Sequence, residues 1–178
     1  MCQHHRVAEM VEFDVVVEVP KGSRNKYEMD LATGHIRLDR PLYSSVRYPA
    51  DYGFIPDTLS GDGDPLDALV IVDEPTFPGC RIRCRAVGVL RTRDQKGLDA
   101  KVLAVPTFDL GRGWADLPEV PKDLRLEIEH FFSIYKDLDP DKFSHVRGWS
   151  GRARAEREIE DARRRYVQHP REGLRTSP

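Results

Sequence analysis

Short runs of β-branched and apolar residues, each ended by a turn-forming residue, fill the first two-thirds of the chain and constrain its fold more than any other feature. The run at residues 11–19 is rich in valine and ends at Pro20, which predicts a strand. Residues 26–31 and 35–39 alternate polar and apolar side chains around Ala-Thr-Gly, which predicts a hairpin. Many short strands separated by turns favour a small closed barrel over alternating strands and helices.

Three more apolar runs continue this pattern. Residues 68–72 form a short run, and residues 81–91 and 100–105 lie on either side of the turn signal Asp94-Gln-Lys-Gly97. They predict one further strand and a second hairpin.

The periodicity changes after Pro121, where apolar residues recur at the spacing of one helix face. This stripe consists of Leu124, Ile128, Phe131 and Tyr135. A second predicted helix, at about residues 150–167, is dominated by arginine and glutamate. The sequence therefore predicts an α+β fold that is mainly β, with two C-terminal helices packed against a barrel.

The length of 178 residues suits one domain with a substantial core. We expect that domain at residues 11–168, between a flexible extension at 1–10 and a disordered tail at 169–178. No apolar run approaches the roughly 20 residues that cross a bilayer, and the N-terminus lacks the apolar stretch of a secretory signal. Cys2, Cys80 and Cys84 lack metal-ligand spacing. These features predict a cytoplasmic protein with no membrane partner.

The segment Gly61-Asp-Gly-Asp-Pro-Leu-Asp67 is the most informative for chemistry. Its three carboxylates repel one another unless a positive charge lies among them, and magnesium prefers such oxygen ligands. An EF-hand is excluded, because its loop requires an acid at the fifth position and glycine at the sixth, where this segment has Leu66 and Asp67. The alternative interpretation is a solvated acidic turn.

Further charged and aromatic residues extend this pattern. Asp94 and Asp99 flank a turn, and Lys101 follows on the same face of the return strand as Asp99. Acids beside a cation suit a site for metal and phosphate, although a charged hairpin end would look the same. The other candidates, each with an ordinary structural explanation when taken singly, are Glu18, Lys26, Glu28, Arg40, Tyr48, Tyr52, Tyr135 and Lys136.

Together these segments resemble the soluble family I inorganic pyrophosphatases of bacterial type. DGDPLD resembles the family signature, and the segments VEVPKGSRNKYEMD, IRLDRPLY, RYPADYGFIPDTL, GVLRTRDQKGLDAKVLAVP and EIEHFFSIYKDL follow in the family's order, from about residue 15 to residue 149. The resemblance implies a five-stranded barrel related to the OB-fold, several Mg²⁺ ions (with Mn²⁺ as an alternative), and a homo-oligomer, typically a hexamer. It also implies hydrolysis of pyrophosphate to two orthophosphates by a metal-activated water. Gln95 departs from the family pattern, which often has an acid there.

The resemblance also implies residue roles. The metal ligands would be Asp62, Asp67, Asp94, Asp99 and Glu18. The phosphoryl oxygens would be bound by Lys26, Arg40, Lys101, Tyr135 and Lys136, with Tyr52 beside them. Asp64 would be the general base, with Tyr52 and Lys101 assisting catalysis. Glu28 would orient groups around the metals, and Tyr48 would lie behind the residues that contact substrate.

Two other functions fit parts of the sequence. A nucleotide phosphohydrolase is one, but no Gly-rich phosphate loop or base pocket is evident. A barrel that binds single-stranded nucleic acid is the other, supported by the arginines of the second helix. Interleaved glutamates and a net charge of −2 argue against it, so we expect no nucleic-acid partner.

Overall fold

The computed structural model describes residues 10–109 and 112–169, so nearly all of the predicted extension and tail lies outside the described residues. The strands, in chain order, are β1 (Glu12–Val19), β2 (Asn25–Asp30), β3 (His35–Pro41), β4 (Asp51–Ile55), β5 (Leu66–Val70), β6 (Arg81–Asp94), β7 (Gly97–Pro106) and β8 (Ser144–Gly151). The helices are a 3₁₀ turn at Leu117–Glu119, α1 (Lys122–Ile134) and α2 (Arg152–Gln168).

Five strands close into a ring. Their pairing order is β1-β4-β5-β7-β6, and β6 pairs back to β1, while β8 adds a sixth strand along the other half of β6. β5 and β7 are parallel and the other ring pairs are antiparallel. The predicted barrel with two C-terminal helices is confirmed. β2 and β3 form a separate two-stranded hairpin, also as predicted.

Two strands, β4 and β8, were not predicted from the sequence. β4 has the sequence DYGFI and β8 the sequence SHVRGWSG, and both contain glycine where strands usually carry β-branched residues. Gly53 of β4 is required by close packing, since a Cβ there would lie 1.9 Å from the carbonyl oxygen of Val16. β8 forms because it pairs with β6. The strand propensity of its own residues does not reveal this pairing.

The core consists of two apolar clusters. The first contains side chains from all five ring strands together with Ala155, Ile159 and Ala162 of α2, and is therefore the barrel interior with α2 packed against it. The second joins the opposite faces of β5, β6 and β7 to Ile128, Phe131 and other residues of α1. Within residues 10–109 and 112–169, no helix is long and apolar enough to cross a membrane.

Candidate active site

A cleft of about 510 Å³ gathers side chains from strands that are distant in sequence. Every candidate residue except Tyr48 lines it: Glu18, Lys26, Glu28, Arg40, Tyr52, Asp62, Asp64, Asp67, Asp94, Asp99, Lys101, Tyr135 and Lys136. The acids that the sequence placed in separate segments therefore share one cavity.

The cleft floor, defined here as Asp67, Asp99 and Lys101, is set by strand register. β5 and β7 run parallel with Asp67 opposite Lys101, and alternation along β7 places Asp99 on the same face as Lys101. The Lys101 ammonium lies 2.7 Å from the Asp67 carboxylate and 2.8 Å from that of Asp99. The prediction that Asp99 and Lys101 share a face is confirmed.

Lys101 is buried, with 1% of its side chain exposed. Its ammonium lies 5.1 Å from the ring centre of Phe132 and 5.5 Å from that of Tyr52, within cation–π range. Burial opposes its charge, but Asp67 and Asp99 hold the pKa of Lys101 well above its ordinary value. The cleft therefore contains a permanently charged ammonium between two acids.

Burial raises the pKa of Asp67, and the like charge of Asp99 raises it further against the opposing effect of Lys101. The Tyr52 hydroxyl donates a hydrogen bond to the same Asp67 oxygen that Lys101 contacts. Burial also raises the pKa of Asp62, and the neighbouring Asp64 adds to that rise. These carboxylates carry negative charge that their present surroundings neutralise only in part.

Glu18 lacks compensating positive charge even more than Asp62 and Asp67 do. Its carboxylate accepts a hydrogen bond from the backbone N–H of Met29 at 2.8 Å. Burial nevertheless raises the pKa of Glu18 to about 7, and the charge of Asp67 adds to the effect. In the described residues Glu18 has no ion-pair partner, so a cation placed beside it would gain a strong interaction.

Two further lysines line the cleft, one of them half exposed and the other largely buried. The rim pair, Lys96 and Asp64, is joined at 2.7 Å with about half of each side chain exposed. Lys136, which follows α1, lies 2.8 Å from Asp94. Although burial alone would raise it, hydrogen bonding to Lys136 holds the pKa of Asp94 below its ordinary value.

The hairpin β2–β3 supplies the basic wall. Lys26 and Arg40 are cross-strand neighbours, and both contact the carboxylate of Asp39. Lys26 also contacts Glu28, and Arg40 is held from the far side by the buried Asp139. The guanidinium is therefore fixed by carboxylates from two distant segments.

Tyr48 lies behind the cleft. It is 1% exposed, and its ring centre is 5.4 Å from that of Tyr52 and 4.8 Å from that of Phe131. It supports Tyr52 by packing.

Sequence reasoning missed several residues that touch the site or its charges, among them Asp39, Lys96, Phe132, Asp139 and Lys142. Strand alternation would place Asp39 on the face opposite its neighbour Arg40, and the register shift between Lys26 and Tyr27 that accompanies its contacts is not visible in the sequence. The contact of Asp139 with Arg40 spans 99 positions, and no local pattern reports it.

The carboxylates of the cleft are the type of ligand that a hard divalent cation prefers. In the described ranges, no group of three or more histidine, cysteine or acidic side chains has the geometry of a ready ligand set. Lysines hold several of the carboxylates instead. The chemistry of the donors nevertheless fits, because the cleft is rich in carboxylate oxygens and the raised pKa values of Asp62, Asp67 and Glu18 show that they lack positive charge.

Comparison with known proteins gives one consistent result. The family model described as inorganic pyrophosphatase matches residues 15–167. An inorganic pyrophosphatase of Streptomyces coelicolor is 57% identical over 157 residues, covering 88% of this chain and 96% of the relative. The solved structure of the Helicobacter pylori inorganic pyrophosphatase aligns with a TM-score of 0.86 and 38% identity over 91% of this chain and 99% of that one. The Thermus thermophilus inorganic pyrophosphatase gives 0.83 and 43% over 94% and 97%.

The barrel, the cleft and these matches together define a class of enzyme, the hydrolases of phosphoric anhydrides. Within that class the chain belongs to the inorganic pyrophosphatase family, and the predicted resemblance to its family I, bacterial-type members is confirmed. It is an inorganic diphosphatase of a metal-dependent family that hydrolyses pyrophosphate. This result favours the first of the three functions that the sequence left open.

Proposed function

We propose that the chain cleaves pyrophosphate by direct attack of water in a magnesium-dependent reaction, with no phosphorylated enzyme. The observation that carries the proposal is the cleft floor, where a buried ammonium and two acids face the basic wall of the hairpin. A substrate with several negative charges and its accompanying cations can be held between these two surfaces.

The metal-holding residues in this proposal are Asp62, Asp67, Asp94, Asp99 and Glu18. When bound, Mg²⁺ lowers the pKa of water and neutralises phosphoryl charge, and Mn²⁺ is an alternative with the same ligand preference. The raised pKa values of Glu18 and Asp67 support this assignment, because burial penalises their ionised forms until a cation compensates them.

The substrate-binding residues are Lys26, Arg40, Lys101, Tyr135 and Lys136, with Tyr52 beside them. Each of the four basic side chains already contacts a carboxylate. These contacts hold the cations in place before substrate arrives. Glu28 orients Lys26, and Tyr48 orients Tyr52 by ring packing.

Asp64 is the proposed general base. It accepts a proton as the oxygen of water bonds to one phosphorus and the bridging P–O bond breaks, and the second phosphate leaves with the bridging oxygen. Lys101 and Lys136 stabilise the charge that this phosphate gains. No serine, cysteine or histidine lines the cleft in the part of the chain that the structure describes, so the side chains that remain to compete with water as nucleophile are carboxylates and tyrosines.

Phosphate release from pyrophosphate, measured with and without Mg²⁺, tests the proposal. Activity should require the metal and disappear with a chelator. Asp64→Ala should lose most turnover while keeping its fold and metal affinity, whereas Asp73→Ala, which removes an acid outside the cleft with 89% exposure, should match the wild type. In ¹⁸O-labelled water, a single turnover should place one labelled atom in one of the two phosphates. Isolation of a phosphorylated enzyme would contradict direct attack.

We also propose a cytoplasmic homo-oligomer, by family resemblance a hexamer. Large apolar side chains that remain exposed on the single chain, such as Leu126 of α1 and Phe143 before β8, support assembly. Light scattering coupled to size-exclusion chromatography measures the mass, and a monomer at micromolar concentration would rule assembly out.

A further inference from the structure

Lys96 lines the active-site cleft, yet the reaction proposed above gives it no role. It lies in the turn between β6 and β7, where its backbone N–H donates to the carboxylate of Asp94 at 2.8 Å. Its ammonium reaches across to the acidic segment and lies 2.7 Å from Asp64. Lys96 therefore connects the two parts of the chain that carry most of the proposed metal ligands.

Three carboxylates act on the Lys96 ammonium. Its hydrogen bond to Asp64 raises the pKa of Lys96, and the charges of Asp64, Asp62 and Asp94 add to that rise. The interaction is reciprocal, because burial raises the pKa of Asp62 and the charge of Lys96 opposes the rise. Asp62 and Asp94 are proposed metal ligands, so Lys96 and a divalent cation depend on the same negative charge.

The cleft has only a small excess of negative charge. Its lining residues include eight acids and six basic side chains, a formal excess of two negative charges. An ammonium repels a divalent cation twice as strongly as a monovalent one, and the affinity of a site for such a cation rises with the number of its charged ligands. Each basic side chain near the metal ligands therefore lowers the affinity of the cleft for Mg²⁺.

The surroundings of Lys96 allow its contact with Asp64 to break. The Lys96 side chain is 53% exposed, whereas that of Lys101 is 1% exposed. An exposed ion pair contributes little to stability, because water solvates both charges when they separate. A divalent cation that binds beside Asp62 or Asp94 can therefore repel the Lys96 ammonium into solvent at small cost.

We propose that Lys96 is a built-in counter-ion that competes with divalent cations for the acidic side of the cleft, and that it thereby sets the Mg²⁺ concentration that the enzyme requires. In the metal-free protein its ammonium compensates Asp64 and the neighbouring acids, and Mg²⁺ takes over that compensation when it binds. This inference rests on the metal-holding residues proposed above and adds to them a residue that weakens metal binding.

Calorimetric titration of the substrate-free protein with MgCl₂ at low ionic strength tests the inference. Lys96→Met should bind Mg²⁺ about fivefold more tightly than the wild type, and Lys96→Glu more tightly still. Lys96→Arg keeps the charge and should bind like the wild type. Lys142→Met is the matched control, since it removes a cation of the same cleft that is 40% exposed and lies 3.9 Å from Asp139. Its affinity for Mg²⁺ should stay within about twofold of the wild type.

Added salt separates competition by charge from a change in the shape of the site. At high ionic strength the affinities of the wild type and Lys96→Met should converge, because salt screens a half-exposed ammonium. The inference is overturned if Lys96→Met binds Mg²⁺ like the wild type, if Lys96→Arg binds as tightly as Lys96→Met, or if Lys142→Met gains as much affinity. Phosphate release by the wild type tests the proposed function separately. A magnesium-dependent wild type with unchanged affinity in Lys96→Met would therefore overturn this inference and leave the proposed function intact.

Discussion

The floor and the rim of the active-site cleft each place a lysine about 2.7 Å from an aspartate, yet the two pairs are in different surroundings. Lys101 at the floor is 1% exposed, whereas Lys96 at the rim is 53% exposed. Water screens the rim pair, so its net contribution is small. At the floor the Lys101 ammonium cannot be solvated again, so removing one of its acids leaves a buried charge with less compensation. Burial, more than distance, decides which ion pair the site depends on.

Asp67→Asn should give the largest effect, because it removes the floor acid that combines burial, a contact with Lys101 and a proposed metal ligand. We expect kcat/KM for pyrophosphate to fall on the order of a thousandfold. Phosphate release at varied Mg²⁺ concentration measures the change, with Asp14→Asn, an exposed acid outside the cleft, as the control. Full magnesium-dependent turnover in Asp67→Asn would refute the ligand assignment.

The sequence predicted the floor only in part, and the reason is the range of the contacts. Alternation placed Asp99 and Lys101 on one face, because that relation needs only two residues of a single strand. The position of Asp67 opposite Lys101 depends on a parallel pairing of β5 with β7, which no local pattern specifies.

The fold, too, was predictable where local sequence determines a strand and not where pairing with distant strands determines it. Runs rich in valine predicted β1 and the interior of β7, whereas β4 and β8 depend on a close approach and on an edge supplied by other strands. The site roles came from the family resemblance, since the spacing of single residues also allowed a solvated turn or a charged hairpin end.

Lys101→Met should have the second-largest effect and tests the floor through stability. It leaves the carboxylates of Asp67 and Asp99 facing each other without their shared cation. We expect the metal-free protein to lose about 3 kcal/mol in urea unfolding and turnover to fall about a hundredfold. Mg²⁺ should restore part of the stability. Lys122→Met, at an exposed position on α1, is the control. If Lys101→Met were as stable in urea as Lys122→Met, the contacts of Lys101 with Asp67 and Asp99 would not be essential to the cleft floor.

Glu18→Gln sharpens the comparison with a buried acid that has no ion-pair partner in the described residues. Its pKa is about 7 in the folded chain against an ordinary 4.5, so the folded state binds the additional proton. Its contribution to stability is therefore complete below about pH 4.5 and is lost as the pH rises towards 7. Chelator-treated wild type should lose on the order of 2 kcal/mol relative to Glu18→Gln across that range, read from urea unfolding. Parallel stability curves for the two proteins would contradict this expectation.

Lys96→Met is the rim counterpart of Lys101→Met and should have the smallest effect. A half-exposed pair with Asp64 is screened by water and salt, so we expect kcat to fall less than about fivefold and the fold to keep its stability. Added salt should narrow the difference between Lys96→Met and the wild type, whereas salt should leave the defect of Lys101→Met nearly unchanged, because buried charges are screened much less. Phosphate release at two ionic strengths compares the variants directly. If Lys96→Met lost as much activity as Lys101→Met at both ionic strengths, exposure would not be the property that separates the rim pair from the cleft floor. Lys96 would then belong with the cations that bind the substrate.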